Sequence, residues 1–176
     1  MISSLQNNGY ILRAPEPEDI DCLLLFENTA EEWSGNGEIS GPYSRYQMKL
    51  YLEHSKNNIY DDRQLRLMVE NKEKKIVGIV DICCFDPFSN KAEVGIIISP
   101  EFRKQGIGEI VLNLLEEHCF RYLSIHMLYA YINENNKASF NLFKKCGFNE
   151  AGILKDWTRL NGKYHNILLL QKINPY

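Results

Sequence analysis

The chain has no long apolar run: none of its uninterrupted hydrophobic stretches approaches the roughly 20 residues that a bilayer-spanning helix needs. Its opening, MISSLQNNGY, has neither the basic start nor the apolar centre of a secretory signal, so none is expected. There is no excess of positive charge. A net charge of −3 gives no overall electrostatic reason to bind nucleic acid, and no basic stripe interleaved with aromatics supports it, so a cationic substrate is favoured instead. The five cysteines are an odd number without metal-type spacing, so no metal site is expected. Cys83 and Cys84 are adjacent, which on a regular strand points their side chains to opposite faces; reduced thiols in a cytoplasmic protein is the expectation. Internal repeats, low-complexity tracts and linkers are also missing. With 176 residues, 44% hydrophobic and 24% charged, the chain predicts one soluble domain over 1–176, long enough to bury a core.

Two nucleotide-binding motifs are absent as well. No Gly-x-x-x-x-Gly-Lys-[Ser/Thr] occurs, which excludes a P-loop nucleotidase. The third glycine of a dinucleotide fingerprint would fall on Val111, and no acidic residue ends the next strand at the usual distance.

What is present has clear periodicity. YILRAP (10–15) reads as a strand ended by Pro15, and EPEDIDCLLLFEN (16–28) as a helix with Ile20, Leu23, Leu24 and Glu27 at helical spacing. Residues 33–44, rich in Gly and Ser, read as loop, and RYQMKLYLEHSK (45–56) as a helix with Met48, Tyr51 and Leu52 on one face. RQLRLMVEN, KKIVGIVDICCF and KAEVGIIIS read as three strands joined by the short turns KEK and DPFSN. A helix follows from about Gly106 to Tyr122, with Ile107, Ile110, Val111, Leu114, Leu115 and His118 at helical spacing, then the strand MLYAYIN. NNKASFNLFKKCG predicts a helix capped by Asn135 or Asn136 and ended by Gly147. Two strands around Asn161-Gly162 close the pattern. The order predicts an α+β domain with a mostly antiparallel sheet, and a parallel neighbour where the 106–122 helix forms a crossover.

The joint AEVGIIISPEFRKQGIGEIVLNLL (92–115) sets an apolar strand against a helix through a basic, glycine-containing loop. Unpaired N–H groups and the helix dipole make such an N-terminus attractive to phosphate. Gly106 and Gly108 would admit it to the backbone, and Arg103 and Lys104 would add charge. A tight strand-to-helix turn that needs glycine explains the same residues, and both readings stand on the sequence.

Here the chain resembles the GNAT (Gcn5-related) N-acetyltransferases. Arg103, Gly106 and Gly108 match the family's [Arg/Gln]-x-x-Gly-x-[Gly/Ala] signature, and NENNKASFNLFKKCGF (133–148) resembles its second block, in a matching order of elements. The resemblance implies the GNAT fold and acetyl-CoA as co-substrate. The backbone of Ile96, Ile97 and Ile98 would pair with the pantetheine arm. The N–H groups of Arg103, Lys104, Gln105, Gly106, Ile107, Gly108 and Glu109 would hold the pyrophosphate. Asn133, Asn136, Lys137, Phe143 and Lys145 would line the other side.

Acetyl transfer to an amine needs a base, a stabilised oxyanion and a proton for the departing thiolate. Glu93 resembles the acidic residue many relatives carry and is the base expected; by itself it reads as a charge on a strand edge. Backbone N–H groups near Val94 to Ile96 could serve the oxyanion. Where relatives place a tyrosine as proton donor, this chain has Phe143, leaving Tyr129, Tyr131 and Cys146 as the nearest alternatives by sequence. Within the family, LRAPEPEDI, RLMVENKEKKIVGIVDI and LNGKYHNILLL resemble spermidine/diamine N-acetyltransferases, which implies a polyamine acceptor. Glu31, Glu32, Glu38, Asp81 and Glu93 would draw in a polycation, although Cys84 stands where relatives can carry another acid. An Nα-acetyltransferase of the ribosomal-protein type and a non-catalytic acyl-CoA sensor are the alternatives. The resemblance also implies a homo-oligomer, a dimer or larger, that binds a small-molecule amine and neither nucleic acid nor membrane.

Overall fold

A computed structural model describes residues 5–29, 41–160 and 162–176. The chain divides into two compact units, each assembled from separated segments. Among the described residues no helix is long and apolar enough to cross a membrane.

The first unit contains 1–15, 55–129 and 172–176. Its strands are β1 (Gln6–Asn7), β2 (Tyr10–Arg13), β3 (Leu65–Glu70), β4 (Ile76–Asp86), β5 (Lys91–Ile98) and the start of β6 (Met127–Asn133). Successive neighbours are antiparallel from β1 to β5. The β5–β6 pair is parallel, as the crossover predicts. Both tight turns are built by a carboxylate or amide that satisfies backbone N–H groups. Asn71 Oδ1 accepts from Glu73 N and Lys75 N at 3.1 and 2.9 Å, and Asp86 Oδ1 accepts from Phe88 N at 2.9 Å. One short helix, α3 (Ile59–Asp62), escapes the apolar periodicity because it is a single turn fixed by the Asn58 side chain, which accepts from Tyr60 N and Asp61 N.

Helix α4 (Ile107–Glu117) lies against β2, β4 and β5 and buries Val111, Leu112, Leu114 and Leu115, each worth about 1.5–3 kcal/mol. The predicted helix to Tyr122 changes character after Glu117: His118–Tyr122 is a π-helical turn, closed by Leu123 N donating to His118 O at 3.1 Å. Residues near the C-terminus stitch this turn down. Asn174 Nδ2 donates to Phe120 O at 3.1 Å and Ile125 O at 2.9 Å, and Lys172 pairs with the buried Glu116 carboxylate. Burial raises the Glu116 pKa while Lys172 opposes the shift, and burial alone lowers that of His118.

The second unit contains 16–54 and 130–171. Helix α1 (Ile20–Glu27) packs on α2 (Arg45–His54), with Leu23, Phe26 and Met48 buried and Arg45 paired with Asp21. Helix α5 (Lys137–Lys145) starts where Asn136 Oδ1 accepts from Ser139 N at 3.0 Å, which settles the predicted cap on Asn136. It ends at Gly147, whose φ of +87° is open to glycine at little cost. Phe143 and Phe148 meet edge to face at 4.9 Å, both buried. Strands β7 (Asn149–Leu160) and β8 (Lys163–Ile173) form the predicted terminal hairpin, with Leu160 opposite Lys163; Asn161 lies outside the described residues.

Candidate active site

In the first unit, residues alternate between two faces of the sheet. Val80, Ile82, Ala92, Val94 and Leu128 are buried in the core, while Asp81, Cys83, Glu93 and Tyr129 occupy the half-buried opposite face. Glu93 sits in one cross-strand row with Cys83 on β4 and Tyr129 on β6. Tyr129, one of the hydroxyls considered as a donor, is therefore a direct strand neighbour of the expected base.

Beyond Glu93 the two edges of β5 part company. Its register with β4 continues to Ile98, whereas its register with β6 covers Lys91 to Glu93 among the described residues. The second edge from Val94 to Ile98 thus offers extended backbone outside the ladder with β6, and Ile96, Ile97 and Ile98 are half-buried. That is the arrangement an amide-bearing chain needs in order to add as a strand.

The strand then passes through a short turn, Pro100–Phe102, into α4. Lys104 (φ +62°) and Gly106 (φ +79°) both take the left-handed conformation. Arg103 N donates to Pro100 O at 3.3 Å, so this one N–H of the predicted cradle is already engaged. Ile110 N closes the first helical bond, to Gly106 O. The donors between them, Lys104 to Glu109, belong to the entry and first turn, which a helix cannot satisfy internally. A Cβ at Gly106 would meet nothing within 4 Å. The positive φ accounts for glycine in a tight turn, and the open space beside it is what a phosphate would need. The Arg103 guanidinium folds back, Nε donating to Ile98 O at 2.8 Å, and ties the loop to the end of β5. Gln105 Nε2 donates to Glu101 O at 3.1 Å.

The acids expected to attract a polycation differ in what surrounds them. Arg66 grips Asp81 with Nε and Nη2 at 2.8 and 2.7 Å, a bidentate pair that matches its charge locally. Glu31, Glu32 and Glu38 lie outside the described residues.

Cys83 and Cys84 depart from the expected geometry. The β4–β5 register shifts between Cys83 and Asp86, and Cys84 takes φ +50°. This bulge abolishes the simple alternation, so the two sulfurs do not face opposite ways. Both Sγ atoms and a Glu93 carboxylate oxygen lie within 4.8 Å of one another. Burial, and next the Glu93 carboxylate, push the Cys83 thiol far up.

In the second unit, Asn133 is buried at the end of β6. Its Oδ1 accepts from Asn135 N at 3.0 Å, and its Nδ2 has no hydrogen-bond partner among the described residues. Lys137 and Lys145 are exposed on α5, whereas Phe143 is buried against Phe148. Sequence reasoning missed Arg66 and the contact between Cys83 and Cys84; the adjacent cysteines were the only visible signal of the second.

Residues 10–149 match the family model described as acetyltransferase (GNAT) domain. The chain is 29% identical over 163 residues to spermidine N(1)-acetyltransferase of Vibrio cholerae, covering 92% of this chain and 91% of that protein. It is 28% identical to the Escherichia coli K12 enzyme of the same name, covering 89% and 82%. A crystal structure of the V. cholerae spermidine N-acetyltransferase with CoA and spermine superposes with a TM-score of 0.86 at 27% identity, over 96% of this chain and 97% of that one. A dodecameric structure of the V. cholerae enzyme superposes with a TM-score of 0.79 at 26% identity, over 96% and 95%. The order of elements agrees with these matches: the chain belongs to the GNAT acetyltransferase family and has its fold.

Proposed function

We propose that this protein transfers the acetyl group of acetyl-CoA to a primary amine of a polyamine such as spermidine. The observation that carries the reading is the left-handed entry into α4 beside a β5 edge that leaves β6 after Glu93. Acetyl-CoA supplies an activated thioester. The main chain of Ile96 to Ile98 would align its pantetheine arm, and the donors from Lys104 to Glu109 would hold its pyrophosphate. The family resemblance would add Asn133, Asn136, Lys137, Phe143 and Lys145 to the cofactor's lining. Glu93 would take the proton from the attacking ammonium, directly or through water, and N–H groups of Val94 to Ile96 would face the developing oxyanion. With Asp81 matched by Arg66, recruitment of a polycation falls to Glu93 and to Glu31, Glu32 and Glu38.

Similarity to enzymes named for spermidine acetylation over about nine tenths of the chain supports the polyamine acceptor. A dodecameric neighbour supports an oligomer, and a cytoplasmic location fits the reduced thiols. Phe143 favours a second reading, a non-catalytic acyl-CoA binder, because it cannot donate a proton. Mass spectrometry of products decides between them, after incubation with acetyl-CoA and spermidine, spermine, putrescine or a pool of N-terminal peptides. The expected product is an acetylated polyamine. An acetylated peptide would make the protein an Nα-acetyltransferase, and bound acetyl-CoA without product would make it a sensor.

A further inference from the structure

We propose that Cys83, Cys84 and Glu93 form a binding site for a thiophilic divalent cation, with zinc as the reference ion. Three ligand atoms of the right kinds converge there, two sulfurs and a carboxylate oxygen within 4.8 Å of one another. Zinc holds sulfur at about 2.3 Å and carboxylate oxygen at about 2.0–2.2 Å, so two ligands of a tetrahedral ion stand roughly 3.5–3.8 Å apart, up to about 1 Å closer than the limit seen here. Small rotations about the side-chain bonds close the remaining gap.

The placement follows from the strand geometry. Glu93 and Cys83 are cross-strand partners, which fixes the first two ligands on one face of the sheet. Cys84 joins them only because the β4 bulge holds it at φ +50°. For a residue other than glycine this conformation costs about 1–2 kcal/mol, so the local fold maintains the pairing of the sulfurs against an intrinsic preference. Cys83 is half-buried and Cys84 exposed, which gives an anchored ligand, an accessible one, and a fourth position open to water. The carboxylate that disfavours a Cys83 thiolate would favour a cation in the same place. Binding replaces the two S–H protons, which leave to the buffer, with two S–metal bonds; no electron transfer is involved.

One consequence rests on the proposed function. A cation on Glu93 occupies the lone pair that the base would use, so metal binding and acetyl transfer exclude each other.

Cobalt(II) is the probe, titrated into the CoA-free protein because the CoA thiol would compete. The expected result is one ion per chain with a thiolate-to-cobalt charge-transfer band, displaced by zinc, and about two protons released per ion. Cys84→Ser and Cys83→Ser should each weaken binding by at least about 10–100-fold, and Glu93→Gln should keep the band at lower affinity. Circular dichroism checks that each variant is folded, and Cys84→Ser, at an exposed position, is the decisive one. No charge-transfer band, or an unchanged affinity in folded Cys84→Ser, would overturn the site. Zinc should also slow turnover of the wild type and not of Cys84→Ser. The cobalt spectrum is read without any turnover, so loss of the metal site and failure of the acetyltransferase reading remain distinguishable.

Discussion

At the scale of single residues, the proposed chemistry turns on Glu93 and Phe143. Glu93 stands between Cys83 and Tyr129 on the half-buried face of the sheet, and the proposal makes it the proton acceptor. Glu93→Gln keeps the shape and removes the basicity. It should lower kcat at neutral pH by about 10²–10⁴-fold while leaving the acetyl-CoA dissociation constant within a few-fold, measured by steady-state kinetics beside calorimetry. Phe143 is buried edge to face against Phe148. Phe143→Tyr should raise kcat by supplying a donor, and lower stability by about 1–3 kcal/mol if the hydroxyl gains no partner. A lowered melting temperature with unchanged kcat would show that thiolate protonation does not limit turnover. Neither role follows from periodicity. Both assignments rest on the family resemblance, since Glu93 and Phe143 by themselves read as an ordinary strand and core residue.

At the scale of elements, the helix entry at Gly106 is the test of cofactor binding. Its φ of +79° and the open space around a would-be Cβ mean that a long acidic side chain fits sterically yet projects charge where phosphate would sit. Gly106→Glu should abolish measurable acetyl-CoA binding, whereas Gly106→Asn, which tolerates the left-handed region, should retain a folded protein and weaker binding; calorimetry and circular dichroism separate the two effects. Most elements were legible because short apolar runs bounded by turn residues mark the strands: MLYAYIN matches β6 end to end, and β3, β4 and β5 lie within the predicted runs to a residue or two. The omissions have local causes. α3 and β1 are too short to show a period, and the π turn at His118–Tyr122 continues the α-helical apolar pattern without its hydrogen bonding. The Cys84 bulge lacked the glycine or asparagine that usually marks one, so the two sulfurs came together unannounced.

At the scale of the whole molecule, His118 should make stability depend on pH. Burial holds its folded pKa below the ordinary 6.5, so the unfolded chain binds the proton more readily and stability is lost as pH falls below that value. Glu116, raised by burial, acts in the opposite sense as pH climbs above its ordinary 4.5, so the two are best separated by difference. His118→Gln should therefore be most destabilising relative to wild type near pH 7.5 and progressively less so toward pH 5.5, read from urea midpoints at each pH. A constant difference across that range would show that His118 does not carry the linkage.

The interleaving of the two units also bears on the order in which the chain can fold as it is made. The π turn and the end of α4 are held by Lys172 and Asn174, residues synthesised after the whole of the second unit. While the ribosome is still producing α5, β7 and β8, the first unit lacks these ties, and the Glu116 carboxylate has not met its lysine. The first unit therefore cannot be completed until Lys172 and Asn174 are made, roughly fifty residues after the π turn, some seconds later at about 5–20 residues per second.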